Sequence, residues 1–320
     1  MEPMRTTPTT AFLRAGLMAA LLAALCTPAM AGSLRDRLLQ RAQSDMLAGD
    51  TAPATIPPGV RVLRDVPYGD DPAQRMDVYL PVQGAAHAPV IFMVHGGAWA
   101  YGDKAMRSVV QNKVARWVPR GFVLVSTNYR MLPGTRPIEQ ARDVARALAA
   151  AQGLAAGWGA DRDRFILMGH SAGAHLVGLI SAEPVLAFDQ GALPWLGTVA
   201  LDSAALNVVA IMQGPHLPLY DAAFGDDPAY WRAASPLQQL ATRGAPFLAV
   251  CSTRRRESCP QARNFVAEAE GLHMRAQVLG EDLSHRQINE ELGTPGDYTT
   301  QVEAFMASLD PQVARRLGDR

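Results

Sequence analysis

The sequence has few of the features that mark several large classes of protein. It contains three cysteines and seven histidines in 320 residues, and its formal net charge is zero. Since no excess of lysine and arginine is present, nothing points to a nucleic-acid partner. The sequence shows neither the clustered histidines and carboxylates of a metal site nor a Gly-x-Gly-x-x-Gly loop for a nucleotide. We therefore predict no metal and no cofactor.

Long hydrophobic runs are scarce too, and the run at residues 15–25 is too short to span a bilayer comfortably. It follows Arg5 and Arg14 and precedes an Ala-Met-Ala segment at 29–31. A basic start, a short apolar core and an A-x-A exit are typical of a secretory signal peptide. We expect cleavage after Ala31 and a periplasmic or secreted protein without stable membrane insertion. A lipidated Cys26 and an uncleaved amphipathic anchor are the alternatives.

Cleavage at that point leaves 320 − 31 = 289 residues, which fits one large domain with a sizeable core. Residues 32–59 are predicted to form an N-terminal helix and a linker, and residues 60–320 a catalytic domain. Within that domain, continuous apolar runs alternate with helical patterns, which predicts an α/β fold with a mostly parallel twisted sheet and helices on both faces. The irregular stretch at 207–235 is predicted to roof a pocket. Predicted strands span 60–63, 76–80, 90–94, 122–126, 165–168, 197–201, 246–250 and 275–279, and predicted helices span 104–118, 137–150, 172–182, 261–271 and 298–309.

The segment at 169–173, Gly-His-Ser-Ala-Gly, gives the strongest functional signal. It follows an apolar strand and precedes a helix of small apolar residues, so it matches the G-x-S-x-G turn that presents a serine nucleophile. We predict Ser171 as that nucleophile. The amide of Ala172 lies at the helix N-terminus, where the helix dipole favours an oxyanion. The neighbouring His170 is predicted to pack in the core first and to line the substrate pocket second.

The segment at 95–99, His-Gly-Gly-Ala-Trp, follows an earlier apolar strand. Its glycines allow a loop whose amides point at one centre, so Gly96 and Gly97 are predicted to complete the oxyanion hole with Ala172. An ordinary Gly-Gly turn is the alternative. Trp99 is predicted either to line the acyl pocket or to cover the core, and the sequence favours neither.

A general base is expected after the last predicted strand, and His285 lies there. Three carboxylates are candidates for the acid that orients it. Glu257 follows the strand at 246–250 and is our first choice, and Asp202, at the end of the strand at 197–201, is the second. Asp282 is the third, since a residue three positions before His285 needs an awkward turn to reach the far ring nitrogen.

Cys251 and Cys259 flank Glu257 and can form a disulfide in an oxidising compartment if their Cα atoms lie within about 7 Å. Two unpaired buried thiols are the alternative. A bridge would fix the loop that contains the first-choice acid.

Together these pieces resemble the α/β-hydrolase superfamily, and within it the esterases and lipases like hormone-sensitive lipase and their feruloyl- and acetyl-xylan-esterase-like relatives. The resemblance rests on segments 95–99, 128–130 (Asn-Tyr-Arg) and 169–173 and on His285, and covers most of residues 60–310. It implies an α/β-hydrolase fold and a serine hydrolase that cleaves short-acyl or aryl-acyl carboxylic esters through an acyl-enzyme. The expected partner is a small-molecule ester.

Two other functions stay open at this stage. An amide hydrolase of the same fold, similar to an arylformamidase or a peptidase, would use the same triad. A non-catalytic hydrolase-like binding protein would carry a damaged triad, and in this sequence only the acid is ambiguous. We make no prediction of the oligomeric state.

Overall fold

The computed structural model describes residues 52–203, 205–240 and 244–318. The predicted signal peptide at 1–31 and the predicted helix at 33–47 lie outside the described residues. The first strand begins at Val60, where the sequence predicts the catalytic domain to start.

One eight-stranded sheet forms the centre of the described chain, in the order β1-β2-β4-β3-β5-β6-β7-β8. β1 pairs antiparallel with β2 and β2 antiparallel with β4, whereas the pairs from β4 to β8 are parallel. The predicted mostly parallel sheet is thus confirmed. The strands are β1 Val60–Pro67, β2 Arg75–Pro81, β3 Ala88–Val94, β4 Val123–Thr127, β5 Ala160–His170, β6 Gly197–Leu201, β7 Phe247–Ser252 and β8 Ala276–Glu281.

The helices lie on both faces of the sheet, as strand β3 illustrates. Successive side chains of a strand point to opposite faces. Val90 and Phe92 belong to a core with residues of helices α2 and α3, while Ile91 and Met93 belong to a second core with residues of α1 and α10. The helices are α1 Arg107–Trp117, α2 Pro137–Leu154, α3 Ala172–Ala182, α4 Val185–Phe188, α5 Val208–Gln213, α6 Pro218–Phe224, α7 Pro228–Ala233, α8 Ser258–Gly271, α9 His285–Glu290, α10 Asp297–Ala307 and α11 Pro311–Gly318.

The structure differs from the predicted elements mainly where helices are short. Three short helices, α5 to α7, occupy the stretch at 207–235 that the sequence predicts to be irregular. Helix α9 begins at His285, where the sequence predicts no helix. A capping box between Ser284 and Gln287 starts this helix, and six residues give too few turns for an apolar period to show.

In the described ranges, no helix combines the length and the apolar character that crossing a membrane would require.

Candidate active site

Ser171 lies at the corner between β5 and α3. Its backbone has φ of 56° and ψ of −117°, a conformation that residues with a Cβ rarely adopt. The Ser171 amide donates to the carbonyl of Leu201 on β6, 2.9 Å away. A Cβ added to Gly173 would lie 2.3 Å from the carbonyl oxygen of Val94, so glycine is required for α3 to start this close to β3. The sharp turn predicted from the G-x-S-x-G segment is present.

The loop at 95–99 packs directly against Ser171. A Cβ on Gly96 would lie 2.9 Å from the Cβ of Ser171, so the Gly96 backbone lies beside this side chain. Tyr129 holds the loop, because its hydroxyl donates to the carbonyl of His95 over 3.0 Å and its ring stacks on the His95 ring at 4.6 Å. The strand ends therefore bring this loop and the N-terminus of α3 to the two sides of Ser171.

A narrow cavity of about 10 Å³ lies beside Ser171. Trp99 forms part of its wall, which agrees with the pocket-lining alternative for this residue. Its ring packs against Tyr220 and Phe224 of α6, with centroids 5.9 and 5.0 Å away. The Trp99 indole N–H donates to Nδ1 of His175 over 3.1 Å. Helix α6 thus forms part of the roof that the sequence predicts for the stretch at 207–235.

Asp202 is the carboxylate that contacts His285. Its Oδ2 lies 2.5 Å from His285 Nδ1, and both side chains are buried. Nε2 of His285, on the other side of the ring, is buried and has no hydrogen-bond partner within the described ranges. One imidazole nitrogen is therefore held by a carboxylate, and the other is left to exchange a proton.

Glu257, our first choice for the acid, does not occupy this position. It is exposed at the N-terminal end of α8, and the structure places the second choice, Asp202, against His285 instead. Asp282 is exposed as well and pairs with Arg254 at 2.8 Å. The backbone explains why Asp202, and not Glu257, reaches His285. Asp202 directly follows β6 with φ of 53°, and its amide donates to the carbonyl of Val250 on β7 over 2.8 Å.

The loop between β7 and α8 surrounds the Asp202 carboxylate with donors. Oδ1 accepts the Ser252 amide at 2.7 Å and the Ser258 hydroxyl, and Oδ2 accepts Nη1 of Arg255 at 2.7 Å. A disulfide joins Cys251 to Cys259, with the Cα atoms 5.1 Å apart. The pairing that the sequence allows is thus present, and it closes the loop that carries these three donors.

The buried surroundings shift the proton affinities of both groups. Burial alone would raise the pKa of Asp202, but the hydrogen bond with His285 and the charge of Arg255 hold that pKa well below its ordinary value. Burial lowers the pKa of His285 below 6.5, and the charge of Arg255 acts in the same direction, while the Asp202 contacts oppose both. Near neutral pH, Asp202 is an anion and His285 a neutral base.

His170 packs against the ring of His285 rather than lining the cavity beside Ser171. Its Nε2 lies 2.9 Å from the carbonyl oxygen of His285, and the two ring centroids are 4.5 Å apart. Burial and the neighbouring His285 lower the pKa of His170 well below its ordinary value, so this ring is neutral and donates through Nε2. The packing role predicted first for His170 agrees with this geometry.

Two kinds of relative match the sequence. The family model BD-FAE matches residues 76–191. Esterase LipC of Mycobacterium tuberculosis is 31% identical over 228 residues, which are 63% of this chain and 54% of LipC. Isoprenylcysteine alpha-carbonyl methylesterase ICME of Arabidopsis thaliana is 34% identical over 123 residues, which are 38% of this chain and 28% of ICME. The chain spans about a quarter to about a half of the lengths of these relatives.

Solved structures of esterases share the fold over most of the chain. Esterase B from Lactobacillus rhamnosis superposes with a TM-score of 0.66 at 18% identity, covering 88% of this chain and 94% of that one. A truncated carbohydrate esterase from gut microbiota gives a TM-score of 0.68 at 16% identity, with 82% and 100% covered. The chain has the α/β-hydrolase fold. The predicted fold class and the resemblance to the esterases of this superfamily are confirmed.

Several side chains around Asp202 were not among those singled out from the sequence. Ser252 and Ser258 donate to the Asp202 carboxylate, and Arg255 contacts both Asp202 and His285. The three consecutive arginines at 254–256 are the only sequence signal, and nothing in the pattern separates the middle one from its neighbours.

Among the residues that the structure describes, no group of three or more histidine, cysteine, aspartate or glutamate side chains is arranged to hold a metal ion.

Proposed function

We propose that this α/β-hydrolase is an exported serine carboxylesterase that hydrolyses short-acyl or aryl-acyl esters through an acyl-enzyme. The observation that carries the proposal is the imidazole of His285. Its Nδ1 lies 2.5 Å from Asp202, its buried Nε2 has no partner among the described residues, and its ring packs against His170, the residue before Ser171. Relatives named esterase, including LipC and LipQ of Mycobacterium tuberculosis, support ester hydrolysis as the reaction.

In the proposed mechanism, Oγ of Ser171 attacks the acyl carbonyl while Nε2 of His285 takes the hydroxyl proton. Asp202 keeps Nδ1 protonated and stabilises the imidazolium. The amides of Gly96 or Gly97 and of Ala172 hold the oxyanion, each contributing about 3 kcal/mol to lowering the barrier. The imidazolium gives its proton to the leaving alcohol. Water, activated by the same nitrogen, then releases the carboxylic acid and regenerates Ser171.

The shape of the cavity supports the substrate class. The cavity beside Ser171 is narrow and is bounded by Trp99 and Tyr220, which supports a short or aromatic acyl group over a long chain. Export is supported by the signal-like segment at 1–31 and by the Cys251–Cys259 disulfide, because disulfides persist in oxidising compartments.

Labelling and turnover test the proposal together. We expect a fluorophosphonate probe to modify the purified protein at one residue, Ser171, as read by peptide mass spectrometry, because the activated Oγ attacks the phosphorus. We expect 4-nitrophenyl acetate and butyrate to be hydrolysed far faster than the laurate ester. A protein that takes up no label and turns over none of these esters would instead be a binding protein. A preference for laurate would contradict the short-acyl assignment.

The pH dependence of kcat/KM is expected to rise through a pKa below 6.5 and then reach a plateau. Only the neutral form of His285 can accept the Ser171 proton, and its pKa is lowered, so protonation removes activity only on the acidic side. Asp202 stays ionised across this range because its own pKa is held well below the ordinary value of a carboxyl group. A pH-stat assay on a neutral ester provides the measurement, and a midpoint clearly above 6.5 would contradict the assigned base.

A further inference from the structure

Arg255 is a cation in the wall of the catalytic cavity. It lines this space together with Ser171, Trp99 and Tyr220. Asp202 is the other charged side chain in that wall, and the remaining lining residues are neutral. The Arg255 side chain is 17% exposed, so its charge lies mostly out of water and faces the space where an ester would bind.

Three groups other than Arg255 already hydrogen-bond to the Asp202 carboxylate. Oδ1 accepts the Ser252 amide and the Ser258 hydroxyl, and Oδ2 accepts the Nδ1 proton of His285. A carboxylate held by three donors is already well satisfied, since buried carboxylates need hydrogen bonds rather than a particular cation. Arg255 is therefore not explained by the needs of the acid alone.

Arg255 also lies where its charge opposes the proposed base. Its Nη1 is 2.9 Å from His285 Nδ1. When Nδ1 carries the proton that it donates to Asp202, two N–H groups face each other across this distance. The imidazolium formed during the reaction adds a second positive charge beside the guanidinium. An anion bound to Arg255 from the cavity side would offset this repulsion.

The guanidinium has the donors to bind such an anion. Its contacts to Asp202 and His285 all use Nη1, while a guanidinium carries five N–H groups in a planar fork that matches a carboxylate. The nearest other anion on the same loop is Glu257, which is exposed to solvent and therefore screened. Apart from Arg255 and the Asp202 carboxylate that it contacts, the cavity wall is neutral and includes the rings of Trp99 and Tyr220.

We propose that Arg255 binds a carboxylate group of the substrate, so that the enzyme prefers esters that carry a negative charge close to the scissile bond. This inference rests on the proposed serine esterase function and narrows its substrate class. The carboxylate group belongs to the acyl or the alcohol part of the ester, and the experiment separates these two sources.

The test compares matched pairs that differ in one group. On the alcohol side, 3-carboxyphenyl acetate is compared with 3-carbamoylphenyl acetate. On the acyl side, the mono-4-nitrophenyl ester of adipic acid is compared with that of adipamic acid. We expect kcat/KM of the wild-type protein to favour the acid over the amide about ten- to hundredfold in at least one pair, as a charge-assisted fork contact would give. Equal rates within both pairs would overturn the proposal.

Two variants and one control identify the residue. Arg255→Gln is expected to bring the acid-to-amide ratio close to one while the amide esters are still hydrolysed, and Arg255→Lys to give an intermediate ratio because it keeps the charge but loses the fork. Arg256→Gln, at the exposed neighbouring position, is expected to keep the wild-type ratio. If Arg255→Gln slows both members of a pair equally, Arg255 only positions the triad and the proposal is wrong. Failure of the wild-type protein to hydrolyse either neutral ester would instead count against the esterase function.

Discussion

Asp202→Asn is expected to lower kcat by about 10³- to 10⁴-fold, while Glu257→Gln stays within a few-fold of wild type. The neutral amide introduced at position 202 can no longer stabilise an imidazolium, and it can hold His285 in the wrong tautomer. Glu257 is exposed, and the carboxylate at His285 Nδ1 belongs to Asp202. Steady-state kinetics on 4-nitrophenyl butyrate provide the measurement.

Stability must be measured beside the kinetics of Asp202→Asn. This change also leaves the mostly buried Arg255 without its carboxylate, so we expect the free energy of unfolding to fall by roughly 1–3 kcal/mol. Assays well below the unfolding temperature separate this loss from the loss of kcat. Asp282→Asn is a matched control, because Asp282 is an exposed carboxylate paired with Arg254. If Glu257→Gln loses activity and Asp202→Asn does not, the first choice made from the sequence is right and the geometric assignment fails.

The carboxylate that contacts His285 could not be chosen from the sequence alone. The continuous apolar runs predict central strands such as β3 and β7, because a strand buried on both faces must be apolar along its length. The edge strands β1 and β8 are partly exposed and mix polar with apolar residues. The prediction of Ser171 as the nucleophile needs only the five residues at 169–173. The acid depends on which of two strand ends turns its side chain toward His285, and that direction is set by the φ of 53° at Asp202. Neither residue type nor spacing encodes such an angle.

The short helices of the stretch at 207–235 and the contacts of Arg255 were not predicted, for a related reason. Helices α5 to α7 have six or seven residues each, so no apolar period is long enough to separate them from a loop. Arg255 lies between two other arginines, within the loop that the Cys251–Cys259 disulfide closes, and its side chain contacts Asp202. Contacts between distant strand ends and loops decide these features, and such contacts leave no local pattern.

The backbone at Ser171 predicts a second large effect. Ser171→Ala and Ser171→Gly are both expected to lower kcat by about 10⁶-fold, but to differ in the free energy of unfolding. Both lack the attacking oxygen. At φ of 56° and ψ of −117°, a residue with a Cβ is strained by about 1–3 kcal/mol, and glycine is not. Glycine loses more backbone freedom on folding, by about 0.5–1 kcal/mol. We therefore expect the glycine variant to have the higher free energy of unfolding, by about 1 kcal/mol.

Urea unfolding of the two variants measures this difference, and a second pair tests its cause. Ala304 is exposed within α10, so Ala304→Gly should lower the free energy of unfolding by about 1 kcal/mol, the ordinary cost of glycine in a helix. The same chemical change, alanine to glycine, is thus expected to stabilise at position 171 and to destabilise at position 304. Such a reversal of sign indicates that strain is stored at the nucleophile. If glycine destabilises at both positions, the turn at Ser171 is not strained, and the positive φ then carries no stability cost.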